Sequence, residues 1–177
     1  MPKNRMTRLT WSALCLALAL VLPFLTGQIP QVGSMLLPMH LPVLLCGFLC
    51  GWPWGLCVGL LAPLLRSALF GMPPLMPTAL AMSLELAAYG GFAGLLYTRW
   101  QHKHGGMLAA LVAAMLLGRV VWGLASYGLY TLLLAKPFTP AMFVAGAFVQ
   151  AWPGILLQLV LVPLLVTALR SAGRRHS

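Results

Sequence analysis

The sequence predicts an all-α integral membrane protein with six transmembrane helices, and three observations support this. Of its 177 residues, 61% are hydrophobic and 7% are charged, which is more apolar surface than the polar residues of a soluble domain could cover. Gly and Pro clusters divide the apolar sequence into runs, most of them near the length of about 20 residues that a span requires. The basic residues fall between the runs, except for Arg66 and Arg119. A single membrane domain, residues 1–177, would use the whole chain.

The basic residues predict the orientation of these helices. They precede the first apolar run (Lys3, Arg5 and Arg8), occupy the most polar internal loop (Arg99 and Lys103) and close the sequence (Arg170, Arg174 and Arg175). Because cytoplasmic loops carry an excess of Lys and Arg, we expect all three clusters, and therefore both termini, to be cytoplasmic. The net charge of +10 does not form one patch, so nucleic acid is not an expected partner.

The breaks between the apolar runs give the helix boundaries. The six predicted helices cover about 9–25, 42–50, 55–70, 78–97, 107–134 and 142–169. The second is short for a span and is followed by a Trp-Pro-Trp turn, a composition that suits a membrane interface. The segment GMPPLMP ends the third helix, because proline cannot continue it. We expect Pro153 and Pro163 to bend the sixth.

Small residues in the apolar runs predict close helix packing. Glycines at 47, 51, 55 and 59 have the spacing that lets helix backbones approach each other in lipid. Ala13 and Ala17 form a similar pair on the first helix. The four cysteines lie in apolar runs, where we expect them to be small packing residues rather than disulfide partners or metal ligands.

Polar residues on three apolar helices predict a binding site. They are Glu85 and Tyr89 on the fourth helix, Arg119, Trp122 and Ser126 on the fifth, and Gln150 and Gln158 on the sixth. Charges at the bilayer centre cost about 2.5 to 3.5 kcal/mol on insertion scales, so they normally face a bundle interior or a watery cavity. We expect the three helices to present these residues to a pocket that opens outward, beneath an outer loop that carries His40.

Two interpretations of the buried charges stay open. Glu85 could form a structural ion pair with either Arg66 or Arg119. Alternatively, the charges belong to the pocket. One acid cannot neutralise two arginines, so the pocket would then be net positive and suited to an anionic or strongly hydrogen-bonding solute.

No motif indicates an enzyme. The sequence has no GxxxxGK phosphate loop, HExxH or GxSxG, and Glu85 is its only acid, so a carboxylate pair is excluded. No cofactor or metal is predicted.

Two other functions stay open on these residues: a membrane scaffold or assembly subunit whose polar residues only pack helices, and a proton or ion pathway through Glu85. The scaffold would bind no small ligand, and the pathway would carry protons without an ATPase.

The order of the segments resembles a transporter family. A short basic N-terminus, AxxxA on the first helix and a long outer loop are followed by MHLPVLLCGFLCG, GLLAPLLRSALFGMPP, MSLELAAYG, GRVVWG and PGILLQLVLVP. Together these are similar to the substrate-binding S component of energy-coupling factor (ECF) transporters, over nearly the whole chain.

The resemblance implies a subunit of the prokaryotic plasma membrane that captures a vitamin or related micronutrient from outside. It implies as partners a transmembrane coupling protein, the T component, and two cytoplasmic ATPases. The family's alanine motif, which docks on the coupling protein, corresponds to Ala13 and Ala17. The family's pocket is built mainly from the fourth to sixth helices. Two buried arginines favour a carboxylate-bearing or polar vitamin such as pantothenate, with other B vitamins as further candidates.

Overall fold

The computed structural model describes residues 4–25, 35–135 and 137–175. Lys3, Lys136 and residues 26–34 of the outer loop predicted over 26–41 lie outside these ranges. The described residues form helices and turns without strands. The α-helices are α1 (Arg5–Leu25), α2 (His40–Cys50), α3 (Trp52–Phe70), α4 (Leu80–Trp100), α5 (Gly106–Tyr127), α6 (Pro140–Val144) and α7 (Trp152–Arg175). Short π-helical segments, Leu75–Ala79, Gly128–Leu133 and Ala145–Val149, adjoin α4, α5 and α6.

Within the described ranges, five helical segments are long and apolar enough to cross a bilayer. They are Arg5–Leu25, Trp52–Phe70, Leu75–Trp100, Gly106–Thr131 and Trp152–Ala172. This confirms the all-α membrane class. α2 has 11 residues, which at about 1.5 Å per residue cover roughly half of a hydrocarbon core about 30 Å thick. α2 is therefore too short to be a span by itself, and the count of six spans stays a prediction.

α2 is the central element of the bundle. Ten of its 11 residues are buried, and it packs against α1, α3, α4 and α7. A helix that is apolar on all sides is expected inside a bundle. The surrounding helices leave large apolar side chains exposed, among them Leu18, Leu124 and Val160, as a surface in contact with lipid chains permits.

Glycines let the central helices approach each other. A Cβ at Gly55 would lie 2.6 Å from the carbonyl oxygen of Gly90 on α4, and one at Gly47 would meet the same carbonyl group. These contacts confirm the close packing predicted from the glycine spacing. Gly51 acts differently, because its φ of 101° is a backbone conformation that favours glycine. It forms the sharp corner between α2 and α3.

The sixth predicted helix is divided. A single helix over 142–169 is wrong at Gln150 and Ala151, where a turn separates the π-helical segment Ala145–Val149 from α7. Pro153 is the second residue of α7, a position where its missing N–H disrupts no helical hydrogen bond. It therefore begins a helix rather than bending one, whereas Pro163 does lie inside α7.

Basic residues gather at the end of the bundle where α4 and α7 finish. Arg170 donates hydrogen bonds to the hydroxyl of Tyr97 and, at 3.1 Å, to the carbonyl oxygen of Phe48. Its guanidinium also lies over the Tyr97 ring. Arg99 is two residues beyond Tyr97 and, like Lys103, is exposed. Two of the predicted cytoplasmic clusters thus share one end of the bundle.

Candidate functional site

A buried cluster of ionisable side chains joins three helices towards the opposite end of the bundle. Nη1 of Arg119, on α5, lies 2.9 Å from Oε1 of Glu85 on α4. The predicted outer-loop position of His40 is wrong, because His40 is the first residue of α2. Its Nε2 lies 3.3 Å from the same oxygen. The exposed fractions are 1% for His40, 2% for Glu85 and 5% for Arg119. Arg119 is therefore the arginine that meets Glu85.

Helix packing around Tyr89 brings these residues together. Tyr89 follows Glu85 by one turn on the buried face of α4, and its ring meets that of His40 edge to face, with 4.9 Å between the centroids. A Cβ at Gly118 would collide with the Tyr89 ring. The glycine therefore lets α5 approach α4 closely, which brings the adjacent Arg119 within reach of Glu85.

The sequence left open whether Arg66 or Arg119 pairs with Glu85, and the structure shows that Arg66 lies elsewhere. Its Nη1 donates a hydrogen bond of 2.5 Å to the carbonyl oxygen of Leu20 on α1, and its guanidinium lies 4.9 and 5.5 Å from the centroids of two phenylalanine rings. The expectation of a net positive pocket containing two arginines is therefore wrong. Among the described residues, the cluster contains one arginine, Arg119, and this arginine is paired with Glu85.

A half-open cavity of about 120 Å³ lies beside the cluster. Its surface is apolar throughout, and it is lined by Tyr89, Val112, Met115, Leu116, Arg119, Phe148, Ile155 and Leu159. These residues place the cavity between α4, α5 and α7. An apolar cavity of about 150 Å³ holds benzene, so this space suits a body of roughly six non-hydrogen atoms.

Several buried polar atoms near the cavity have no hydrogen-bond partner among the described residues. They include Nε and Nη2 of Arg119, Nδ1 of His40 and both amide atoms of Gln158. Gln158 lies on α7 and has no exposed surface. Buried polar groups are nearly always hydrogen-bonded, because an unsatisfied group costs about 1 to 3 kcal/mol. These atoms are therefore suited to hydrogen bonding with a polar solute.

A protein-family model matches residues 7–166 of the chain. Its description is ECF transporter, substrate-specific component. The chain belongs to this family. It is thus a substrate-binding S component, a transport subunit rather than an enzyme. A comparison with curated proteins found no match.

The remaining predicted site residues of the S component lie in different surroundings. Ser126 is buried on α5, and Trp122 packs against two phenylalanine rings near the end of that helix. Gln150 is exposed in the turn before α7. The break in the sixth predicted helix therefore removes Gln150 from the buried face that carries Gln158.

Sequence patterns do not single out the apolar wall of the cavity. Met115, Ile155 and Leu159 line it, yet in so apolar a chain their side chains look like ordinary packing residues. One available signal is spacing, since Val112, Met115 and Arg119 recur at intervals of three and four residues and so share a face of α5. This spacing identifies Val112 and Met115 as wall residues only once Arg119 is known to point into the bundle.

Ala13 and Ala17 lie on the outward side of α1. Both are exposed, as are the neighbouring Leu14 and Leu18, whereas Ser12 on the opposite side is buried. Small side chains leave room for another helix to approach closely in lipid. This face of the S component is therefore open to a partner helix.

Proposed function

We propose that this S component captures a small vitamin-like micronutrient from outside the cell and delivers it to an ATP-driven uptake system. The observation that carries the proposal is the buried cluster of Glu85, Arg119 and His40 beside an apolar cavity. Ionisable residues at membrane depth are energetically costly and mark substrate pathways. Small-molecule sites also combine an apolar wall with a few well-placed polar groups.

The proposed contacts form two groups. Arg119, Glu85, Tyr89, His40 and Gln158 would surround the solute, whereas Trp122, Ser126 and Gln150 would lie nearer the outer loops. A carboxylate-bearing B vitamin is a suitable candidate because its carboxylate could use the unsatisfied donors of Arg119. Pantothenate, which is larger than the described cavity, would have to extend beyond it. Glu85 would then orient Arg119 rather than conduct protons.

We assign the exposed alanine face of α1 to the coupling protein. The T component would pack a helix against Ala13 and Ala17, and two cytoplasmic ATPases would bind to the T component and supply the energy. Family membership and the exposure of both alanines support this assignment. We place the protein in a prokaryotic plasma membrane, with six spans and both termini cytoplasmic. The basic residues gathered near Arg170 support a cytoplasmic position for that end of the bundle.

Co-purification from native membranes tests this proposal. The tagged wild-type protein should retain a T component and two ATPases, and replacing both Ala13 and Ala17 with Trp should remove them because the added volume prevents close helix contact. The melting temperature of the variant should match that of wild type. Val160→Trp, on the exposed side of α7, is the matched control and should keep all partners.

Other results would favour the alternative functions. A wild-type preparation without coupling partners or bound solute would indicate a scaffold subunit. Proton flux through liposomes that contain this chain alone, lost in Glu85→Gln, would indicate a proton pathway. Retention of the coupling protein by the double tryptophan variant would contradict the assigned face.

A further inference from the structure

The guanidinium of Arg119 is only partly engaged by the protein. Nη1 lies 2.9 Å from Glu85, but Nε and Nη2 have no hydrogen-bond partner among the described residues. Nε and Nη2 stand on the same side of a guanidinium and carry two parallel N–H donors. This pair of donors matches the two oxygens of a carboxylate in a bidentate contact. The edge of Arg119 that recognises planar anions is thus unused by the described chain.

Glu85 holds this edge in place. Its carboxylate anchors Nη1 from α4 and is itself approached by Nε2 of His40 at 3.3 Å, so the guanidinium has a fixed partner on one side. Fixing an arginine in advance reduces the side-chain freedom that is lost when a ligand binds.

The cavity limits the rest of the solute. Beyond Arg119 and Tyr89, its lining side chains are aliphatic, sulfur-containing or aromatic, and its volume is about 120 Å³. A compact hydrocarbon body suits such a wall, because an additional charged group there would be buried without a partner. The cavity thus offers a place for apolar atoms beside the arginine whose unsatisfied donors could hold an anionic planar group.

We propose, building on the proposed function, that the solute is a small carboxylic acid with a compact apolar body, and that its carboxylate accepts hydrogen bonds from Nε and Nη2 of Arg119. The corresponding carboxamide would fit poorly, because its NH₂ group would face one of the two N–H donors. A site built for a particular hydrogen-bonding group strongly rejects an analogue that leaves its polar atoms unpaired.

The test uses the full chain in lipid nanodiscs and a panel of water-soluble vitamins and short-chain organic acids. Each acid is paired with its carboxamide, and binding is measured by thermal shift and then by calorimetry. We expect at least one acid to bind, with its carboxamide bound at least tenfold more weakly. Arg119→Lys should abolish the preference for the acid, since an ammonium group keeps the charge but lacks the pair of parallel donors.

Arg66→Lys is the matched control, and it should keep the preference for the acid because Arg66 lies outside the cluster. The comparison of acid with carboxamide on the wild-type protein stands even if Arg119→Lys fails to fold. A different result would be a neutral or cationic compound that binds at least as tightly as the best acid and loses its binding in Leu116→Trp, a variant in the cavity wall. That result would overturn the carboxylate inference while leaving the proposed function intact. Failure of every compound to bind, together with loss of the coupling partners, would overturn both.

Discussion

Arg66 and Arg119 are equally well buried, but their surroundings differ. Arg66 is 3% exposed, donates to the carbonyl oxygen of Leu20 and lies against two aromatic rings. No nitrogen of Arg66 is among the buried polar atoms that lack a partner. Arg119 is 5% exposed and has an acid partner, but two of its nitrogens are unsatisfied.

The comparison shows that burial of an arginine does not by itself indicate a binding site. Arg66 joins α3 to α1 through a backbone carbonyl, which is a packing role that any polytopic protein can use. Arg119 lies beside a cavity, and its Nε and Nη2 have no hydrogen-bond partner among the described residues. Fully buried nitrogens without a partner occur in Arg119 and not in Arg66. This difference separates the two proposed roles, and the following variants test it.

The largest expected effect is on stability in Arg119→Met. Removing the guanidinium leaves Glu85 buried without its arginine, and breaking a buried ion pair in this way typically costs about 3 to 5 kcal/mol. The free energy of unfolding can be measured by denaturant titration of the protein in mixed micelles. The double variant Arg119→Met with Glu85→Leu should recover most of the loss, because replacing both partners by apolar residues is often neutral. A single variant as stable as wild type would contradict the structural importance of the pair.

Arg66→Met should have a smaller effect on stability and none on the solute. It removes a hydrogen bond from a charged donor to Leu20, a contribution of about 1.5 to 3 kcal/mol. The same unfolding titration measures the loss, and calorimetry should show solute affinity within about twofold of wild type, a difference of less than 0.5 kcal/mol. A large fall in affinity with little loss of stability would reverse the roles assigned to the two arginines.

Tyr97→Phe should give the smallest effect. It removes the hydroxyl that accepts a hydrogen bond from Arg170 at the basic end of the bundle, while the second contact of Arg170, to the carbonyl oxygen of Phe48, remains. We expect a loss of about 1 kcal/mol in the free energy of unfolding and unchanged solute binding. A change in affinity would mean that the two ends of the bundle are coupled.

The sequence predicts the helices and the polar residues on them better than it predicts their partners. Periodicity puts Glu85 and Tyr89 on one face of α4, and the structure agrees. Periodicity cannot predict whether Arg66 or Arg119 meets that face, because the answer depends on how the neighbouring helices are rotated about their axes. Contacts such as that of Gly118 with Tyr89 decide the rotation, and they are formed between segments distant in sequence.

Three other features could not be predicted from the sequence, for related reasons. Gln150 and Gln158 have helical spacing, but the turn at residues 150 and 151 interrupts the helix and leaves only Gln158 buried. Proline at position 153 fits both a bend and a helix start, so its presence alone does not choose between them. The cavity wall consists of residues such as Met115 that carry no chemical signal of their own.

The most direct test of the central claim is calorimetry with the acid that binds best in the panel. The proteins compared are wild type, Arg66→Met, and the double variant Arg119→Met with Glu85→Leu, each first checked for cooperative unfolding. If Arg119 contacts the solute, the double variant should lose about 1.5 to 3 kcal/mol of binding, roughly tenfold to 150-fold in Kd, despite its recovered stability. Arg66→Met should bind as wild type does. Wild-type affinity in the double variant would contradict the account, because Arg119 and Glu85 would then be a structural pair alone.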